Sequence, residues 1–337
     1  MTGRSNRGRG KASGGGSEGR PGWWARPGWW TLPALVTALT LAPAIADPSI
    51  TEPGSAGDSI GAVGVPTEGV LPAKIGDYVV RALLGEGGEA SVFLASHPRL
   101  GSDVAVKWAR ANDGRLEREG RLLGRLHASP YTPVPIDLGE HEGLPYLVLD
   151  RVRGISLGDL VYHRPPRTET GVAIARDLAR GVGDLHRVGY LHQDIKPGNV
   201  LVDERGEVRL IDLGMARPIE LDPSAEEPVA RGGTLMFMAP EQAREEPDAI
   251  GVPTDVFAIG ATLYFTLTGL SPFEGRDVTE VWERARQADF DRTMLEESDV
   301  PTELRAILDR AMAVDPGDRY ESADAFADAL EGWLARG

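Results

Sequence analysis

The sequence predicts an α+β fold built as one two-lobed unit, a small β-rich lobe with one main helix followed by a larger α-helical lobe. Three observations carry this. A chain of 337 residues suffices for one such unit and a tail. Between residues 77 and 150, runs of β-formers punctuated by glycine turns flank a single stretch with helical spacing. From Val172 onward apolar residues repeat at three and four, the period of helices. The expected boundaries are a tail and linker over 1–75 and a folded domain over 76–334.

Composition narrows the function. A formal net charge of -15 argues against a nucleic-acid-binding role, which needs a basic surface. The absence of cysteine removes disulfides, thiolate zinc sites and thiol nucleophiles.

The tail has three parts. Arg4, Arg7, Arg9, Lys11 and the run Ser13-Gly14-Gly15-Gly16-Ser17 are basic, Gly-rich and unable to bury a core. Trp23-Trp24 and Trp29-Trp30 then precede an apolar run, Leu32 to Ala46, in the layout of an export signal with cleavage after Ala46. Membrane association through residues 23–46 is the other reading of those tryptophans. Pro33 and Pro43 interrupt the run, which falls short of the roughly 20 apolar residues of a spanning helix. From Asp47 to Gly69 the chain reads as a linker.

In the small lobe, Asp77–Leu84 runs into Gly85-Glu86-Gly87-Gly88-Glu89-Ala90-Ser91-Val92, a strand, turn and strand whose glycines let backbone amides approach phosphates. Val104-Ala105-Val106-Lys107 alternates as a strand with one Lys at its end. Leu116, Leu122, Leu123 and Leu126 share one helical face, with Glu117 and Glu119 among them. Pro145–Asp150 reads as a buried strand.

The most informative stretch is His192-Gln193-Asp194-Ile195-Lys196-Pro197-Gly198-Asn199. It packs a carboxylate, a cation and an amide between apolar Leu191 and Val200-Leu201-Val202. A carboxylate to orient a hydroxyl, a Lys to neutralise a moving phosphoryl group and an Asn to hold Mg²⁺ are parts of a phosphoryl transfer. Before it, Val172, Ala175, Leu178, Ala179, Val182 and Leu185 form an amphipathic helix. After it, the strand Val208–Ile211 ends at Asp212-Leu213-Gly214, and Ser322 caps a closing helix with Ala325, Phe326, Leu330 and Trp333 on one stripe.

His-x-Asp-x-Lys-Pro-x-Asn resembles the catalytic loop of the protein kinase family in its serine/threonine form, as found in bacteria. The other motifs follow in the family's order: Gly85, Gly87 and Val92, then Lys107, Glu119, Asp212-Leu213-Gly214, Gly233-Thr234 and Ala239-Pro240-Glu241. The resemblance spans about residues 76 to 334 and implies the bilobal protein kinase fold, ATP with Mg²⁺ (Mn²⁺ as an alternative), and protein substrates. It implies catalytic roles for Asp194 and Lys196, metal binding by Asn199 and Asp212, and phosphate alignment by Lys107 paired with Glu119, Glu117 being the fallback. Nucleotide contacts fall on Gly85, Gly87, Val92, Ala105, Leu149 as gatekeeper, Asp150, and Val152 against adenine. Thr234 lines the substrate pocket, Asp255 braces the catalytic loop, and Arg319 pairs with Glu241. Such chemistry belongs in the cytoplasm, where ATP is available, which opposes the export reading.

Three positions depart from the pattern: Ala90 for the third Gly, Leu213 for Phe, and Gln193 for the Arg that grips an activation-loop phosphate. Between Gly214 and Gly232 the only hydroxyl is Ser224, set among Asp222, Glu226 and Glu227. A kinase independent of activation-loop phosphorylation is therefore expected. The rival readings are a pseudokinase acting as a nucleotide-binding scaffold and a small-molecule phosphotransferase; Thr234 and Ala239-Pro240-Glu241 oppose the second.

Overall fold

The computed structural model describes residues 71–220 and 234–336. The tail readings, including residues 23–46 and Ala46, and the loop around Ser224 lie outside the described residues.

The first lobe is a six-stranded antiparallel sheet with one helix. In chain order it contains β1 (Lys74–Ile75), β2 (Tyr78–Glu86), β3 (Ala90–Ser96), β4 (Asp103–Ala109), α1 (Arg115–Arg125), β5 (Pro135–His141) and β6 (Leu144–Asp150). The spatial order is β1-β2-β3-β4-β6-β5. Strand alternation divides the sheet into two faces. Phe93, Ala95, Val104, Val106, Trp108, Tyr146 and Val148 bury one face with Ile75 and Tyr78. On β3, β4 and β6, Val92, Ala105, Lys107 and Leu149 fall on the opposite face, half-buried toward the second lobe.

The second lobe follows with β7 (Gly154–Ser156), α2 (Leu157–His163), α3 (Thr168–Arg187), β8 (Tyr190–Leu191), β9 (Val200–Asp203), β10 (Val208–Leu210) and β11 (Arg217–Pro218). It ends with α4 (Pro240–Ala243), α5 (Val252–Thr268), α6 (Val278–Gln287), α7 (Thr293–Glu297), α8 (Thr302–Ala311) and α9 (Ala323–Leu334). Helix α5 is buried on nearly every side, so it is the axis on which α3, α8 and α9 pack. Gly260 makes that possible: a Cβ there would meet Met312 Cγ at 2.9 Å and Ala311 Cβ at 3.1 Å. The expected helix face of α3 is buried throughout, and Ser322 caps α9 by accepting the Ala325 N–H. Short antiparallel pairs, β8 with β11 and β9 with both β7 and β10, pin the ends of the segment between Leu191 and Val200. That segment is thus anchored at both ends within the second lobe.

Candidate active site

Helical spacing decides which carboxylate meets Lys107. In α1, Leu116, Glu119, Leu122 and Leu123 share the buried face, and Glu119 is only 3% exposed. Lys107 Nζ donates to Glu119 Oε1 at 2.9 Å and Oε2 at 2.7 Å, and to Asp212 Oδ1 at 2.8 Å. Glu117 takes no part. The strand places Lys107 two residues inside the end of β4 rather than at its end, opposite Val92 and Leu147.

Charge here is held by contact rather than by water. Burial opposes the Lys107 ammonium, but the carboxylates of Glu119 and Asp212 outweigh it and hold its pKa above the ordinary lysine value. Burial pushes the Glu119 carboxyl up, with Lys107 pulling it back. Asp212 is about half exposed, so burial opposes its charge little, and Lys107 with the Gly214 N–H draws its carboxyl down to about 2. Asp212 stands at φ 66°, a left-handed conformation that costs a non-glycine residue energy and is stored where geometry demands it. Leu213 is buried beneath α1 among Leu116, Leu122, Leu123 and Leu147, filling the position where the family pattern has Phe. Its N–H reaches Glu119 Oε1 at 3.3 Å.

The catalytic loop is braced from α5. Asp255 Oδ2 accepts the His192 N–H at 2.8 Å and Oδ1 the Gln193 N–H at 2.9 Å. His186, on α3, adds a bond to Asp255 Oδ2 at 2.8 Å. Burial opposes the Asp255 charge, but these donors hold its carboxyl below the usual range. Gln193 takes φ 67°, which turns the next residue into the cleft. There Asp194 is surrounded by donors: Lys196 Nζ at 2.6 Å and Asn199 Nδ2 at 3.2 Å on Oδ2, Thr234 N at 3.0 Å and Oγ1 at 3.2 Å on Oδ1. Asn199 Nδ2 also donates to the Asp194 carbonyl at 2.9 Å, so its own side-chain oxygen is left as an acceptor. With Asp212, that makes a hard-oxygen pair suited to Mg²⁺.

Above this floor lies the glycine-rich turn. A Cβ at Gly85 or Gly88 would meet nothing within 4 Å, and at Gly87 only the Ala90 carbonyl at 3.5 Å, so no neighbouring side chain crowds the turn. Val92, Ala105 and Leu149 line the roof behind it, with Leu149 paired to Ala105. Asp150 Oδ1 accepts the Val134 N–H at 2.6 Å and fixes the connection through Val152 into the second lobe. Farther down, Arg319 donates to both Glu241 oxygens at 2.7 and 2.8 Å, with side chains 0% and 2% exposed. The structure thus gathers Lys107, Glu119, Asp194, Lys196, Asn199, Asp212 and Thr234 around one cleft.

Three residues escaped the sequence reading. His186 looks like any polar position of an amphipathic helix, and only folding carries it to Asp255. Gln242 bridges the Ala239 N–H at 3.1 Å and the Gln193 carbonyl at 3.0 Å, clamping the end of the activation segment to the catalytic loop. Arg217 is buried at 7% exposure and bonded to the Ile250 carbonyl at 3.3 Å, and among the described residues its Nε and Nη1 have no hydrogen-bond partner.

A two-lobed kinase arrangement with its ion pair and catalytic loop assembled is what this geometry defines, and comparison with known proteins agrees. The protein kinase domain model matches residues 78–330, and the chain belongs to the protein kinase family, in its bacterial serine/threonine branch. It is 32% identical over 267 residues to the serine/threonine-protein kinase PknB of Mycobacterium tuberculosis, covering 75% of this chain and 42% of that protein. It is 33% identical over 271 residues to a probable serine/threonine-protein kinase of Corynebacterium efficiens, covering 75% and 41%. The match therefore spans about two-fifths of the length of these relatives. Among the described residues no helix is long and apolar enough to cross a membrane.

Proposed function

We propose that this protein is an active serine/threonine protein kinase, transferring the γ-phosphate of ATP to serine or threonine hydroxyls of other proteins in the cytoplasm. The observation that carries this is the convergence on Asp194: four hydrogen bonds fix its carboxylate, from Lys196, Asn199 and twice from Thr234. A carboxylate so held can orient an acceptor hydroxyl and accept its proton as transfer proceeds. Lys196, one bond away, neutralises charge on the transferring group.

Lys107, kept in place by Glu119, aligns the α- and β-phosphates under the amides of the Gly85–Gly88 turn. Val92, Ala105, Leu149, Asp150 and Val152 frame the adenine. Asn199 and Asp212 would hold Mg²⁺, which when bound supplies neutralisation of the phosphate oxygens. The retention of all these groups disfavours a scaffold without turnover. Thr234 beside Asp194, followed by the Ala239-Pro240-Glu241 turn, favours a protein over a small-molecule acceptor. The neutral Gln193 supports activity without activation-loop phosphorylation.

The test is incubation of the full chain with γ-labelled ATP, Mg²⁺ and a generic acceptor protein, followed by identification of the labelled amino acid. Phosphoserine or phosphothreonine is the expected product. Nucleotide binding with no transfer would reject the reading in favour of a scaffold.

A further inference from the structure

The glycine-rich loop carries two acidic side chains, and an arginine from outside the loop ties each. Glu86 pairs with Arg110 at 3.1 Å, and Arg110 also donates to Ser91 Oγ at 3.1 Å, closing the base of the hairpin. Glu89, which follows the Gly87–Gly88 tip and whose carbonyl accepts the Arg110 N–H at 2.9 Å, is ion-paired through Oε1 to Nη1 of Arg115, the first residue of α1. Its other oxygen hangs over the phosphate end of the cleft: a Cβ on Gly214 would lie 3.4 Å from Glu89 Oε2 and 3.2 Å from Asp212 Oδ1. Arg115 is oriented for this contact, because Asp113 holds its Nε at 3.1 Å and its backbone N–H at 3.1 Å.

Arg115 and Glu119 stand one helical turn apart and share a side of α1. The helix thereby grips the sheet at two points, Glu119 on Lys107 of β4 and Arg115 on Glu89 where the chain enters β3. We propose that Glu89 and Arg115 are positioning residues for the nucleotide, tying the side chain next to the tip of the glycine-rich loop to α1 so that the loop closes over the triphosphate when Glu119 is engaged with Lys107. This rests on the kinase reading above.

Two physical effects follow from the pair. A glycine-rich tip loses conformational freedom on closing over a ligand, and a tether that already restricts it offsets part of that cost. A free Glu89 carboxylate would also repel the incoming phosphates, and Arg115, shared with Asp113, offsets part of that charge. Glu89→Gln loses the tether alone. Arg115→Gln loses the tether and leaves the repelling charge exposed, so it is the more harmful change.

The experiment is a double-mutant cycle on the full chain, reading ATP affinity by calorimetric titration with Mg²⁺ and KM for ATP and for the acceptor protein. Both partners are about half exposed, at 45% and 52%, so effects are those of a solvent-screened pair. Glu89→Gln is expected to weaken ATP binding about twofold and Arg115→Gln about fivefold. The double variant should match Glu89→Gln alone, with KM for the acceptor protein and the melting temperature unchanged. Single variants that bind ATP as tightly as wild type or tighter, or effects that multiply in the double variant, would overturn the proposal. Wild-type protein that binds no ATP would instead overturn the kinase reading.

Discussion

Thr234 turns both its backbone N–H and its hydroxyl onto one oxygen of Asp194, Oδ1, at 3.0 and 3.2 Å. The two residues are 40 positions apart, and this contact joins the end of the activation segment to the catalytic loop. Lys196 and Asn199 occupy the other oxygen. The direction of the Asp194 carboxylate is thus set by two segments at once.

Removing the Thr234 hydroxyl takes away one bond to a charged acceptor and leaves the backbone donor. Thr234→Ala should lower kcat about tenfold, the scale of one such bond, while Thr234→Ser stays near the wild-type rate. Steady-state transfer assays decide it; an alanine variant with unchanged kcat would show that the hydroxyl does not set the carboxylate.

Glu241 and Arg319 form a buried pair whose remaining donors are also used: Nε on Ala313 O at 2.8 Å, with Pro253 O and Val314 O at 2.9 and 3.1 Å. Thr254 Oγ1 donates to Glu241 as well, at 2.7 Å. Arg319→Met leaves a carboxylate buried without its cation and should cost about 3–5 kcal/mol. For a domain of this size that is roughly 6–20 °C in Tm. The double change Glu241→Met with Arg319→Met should cost less than the single one. Calorimetry that finds the single variant within a degree of wild type would contradict the account.

His192 is fully buried, and its Nδ1 accepts the Asp194 N–H at 3.3 Å while Nε2 has no partner among the described residues. Burial lowers its pKa below the ordinary histidine value, although Asp255, Asp194 and Asp212 pull the other way. The folded protein therefore binds this proton less readily than the unfolded chain, so stability is full above the unfolded value near 6.5 and declines as pH falls below it. The loss approaches about 1.4 kcal/mol per pH unit. Denaturant unfolding between pH 7.5 and 5 should show that slope in wild type and a shallower one in His192→Asn, whose side-chain oxygen can still accept the Asp194 N–H. Identical slopes would rule out His192 as its source.

Gln193 carries no charge, and its buried Nε2 has no partner among the described residues. Ser224→Ala should consequently retain wild-type activity within about twofold, since no charge pairing is removed. A loss above tenfold would contradict activity independent of activation-loop phosphorylation.

What could be read in advance was what is local. The segment His192–Asn199 carries its carboxylate, cation and amide within eight consecutive residues, so its chemistry survives without knowledge of the fold. The Lys107–Glu119 pair was legible through the resemblance to the protein kinase family, and the residual choice between Glu117 and Glu119 was settled by helical face in the fold. The contacts that stayed illegible are long-range and use ordinary residues. Asp255 was legible only through the resemblance to the protein kinase family, whereas His186 is 69 positions away from it and sits among other polar residues of α3. Gln242 and Arg217 act through backbone carbonyls and N–H groups, which leave no pattern in a sequence. Ion pairs such as Glu89 with Arg115 join two exposed charges of the kind every surface carries.

The central claim is that Asp194 acts on the acceptor hydroxyl and not on nucleotide binding. The most direct test compares wild type with Asp194→Asn for ATP affinity and for γ-phosphate transfer to an acceptor protein. Affinity should stay within about threefold while transfer falls at least 10²-fold, the scale of a lost general base. Transfer at a rate comparable to wild type would contradict the account.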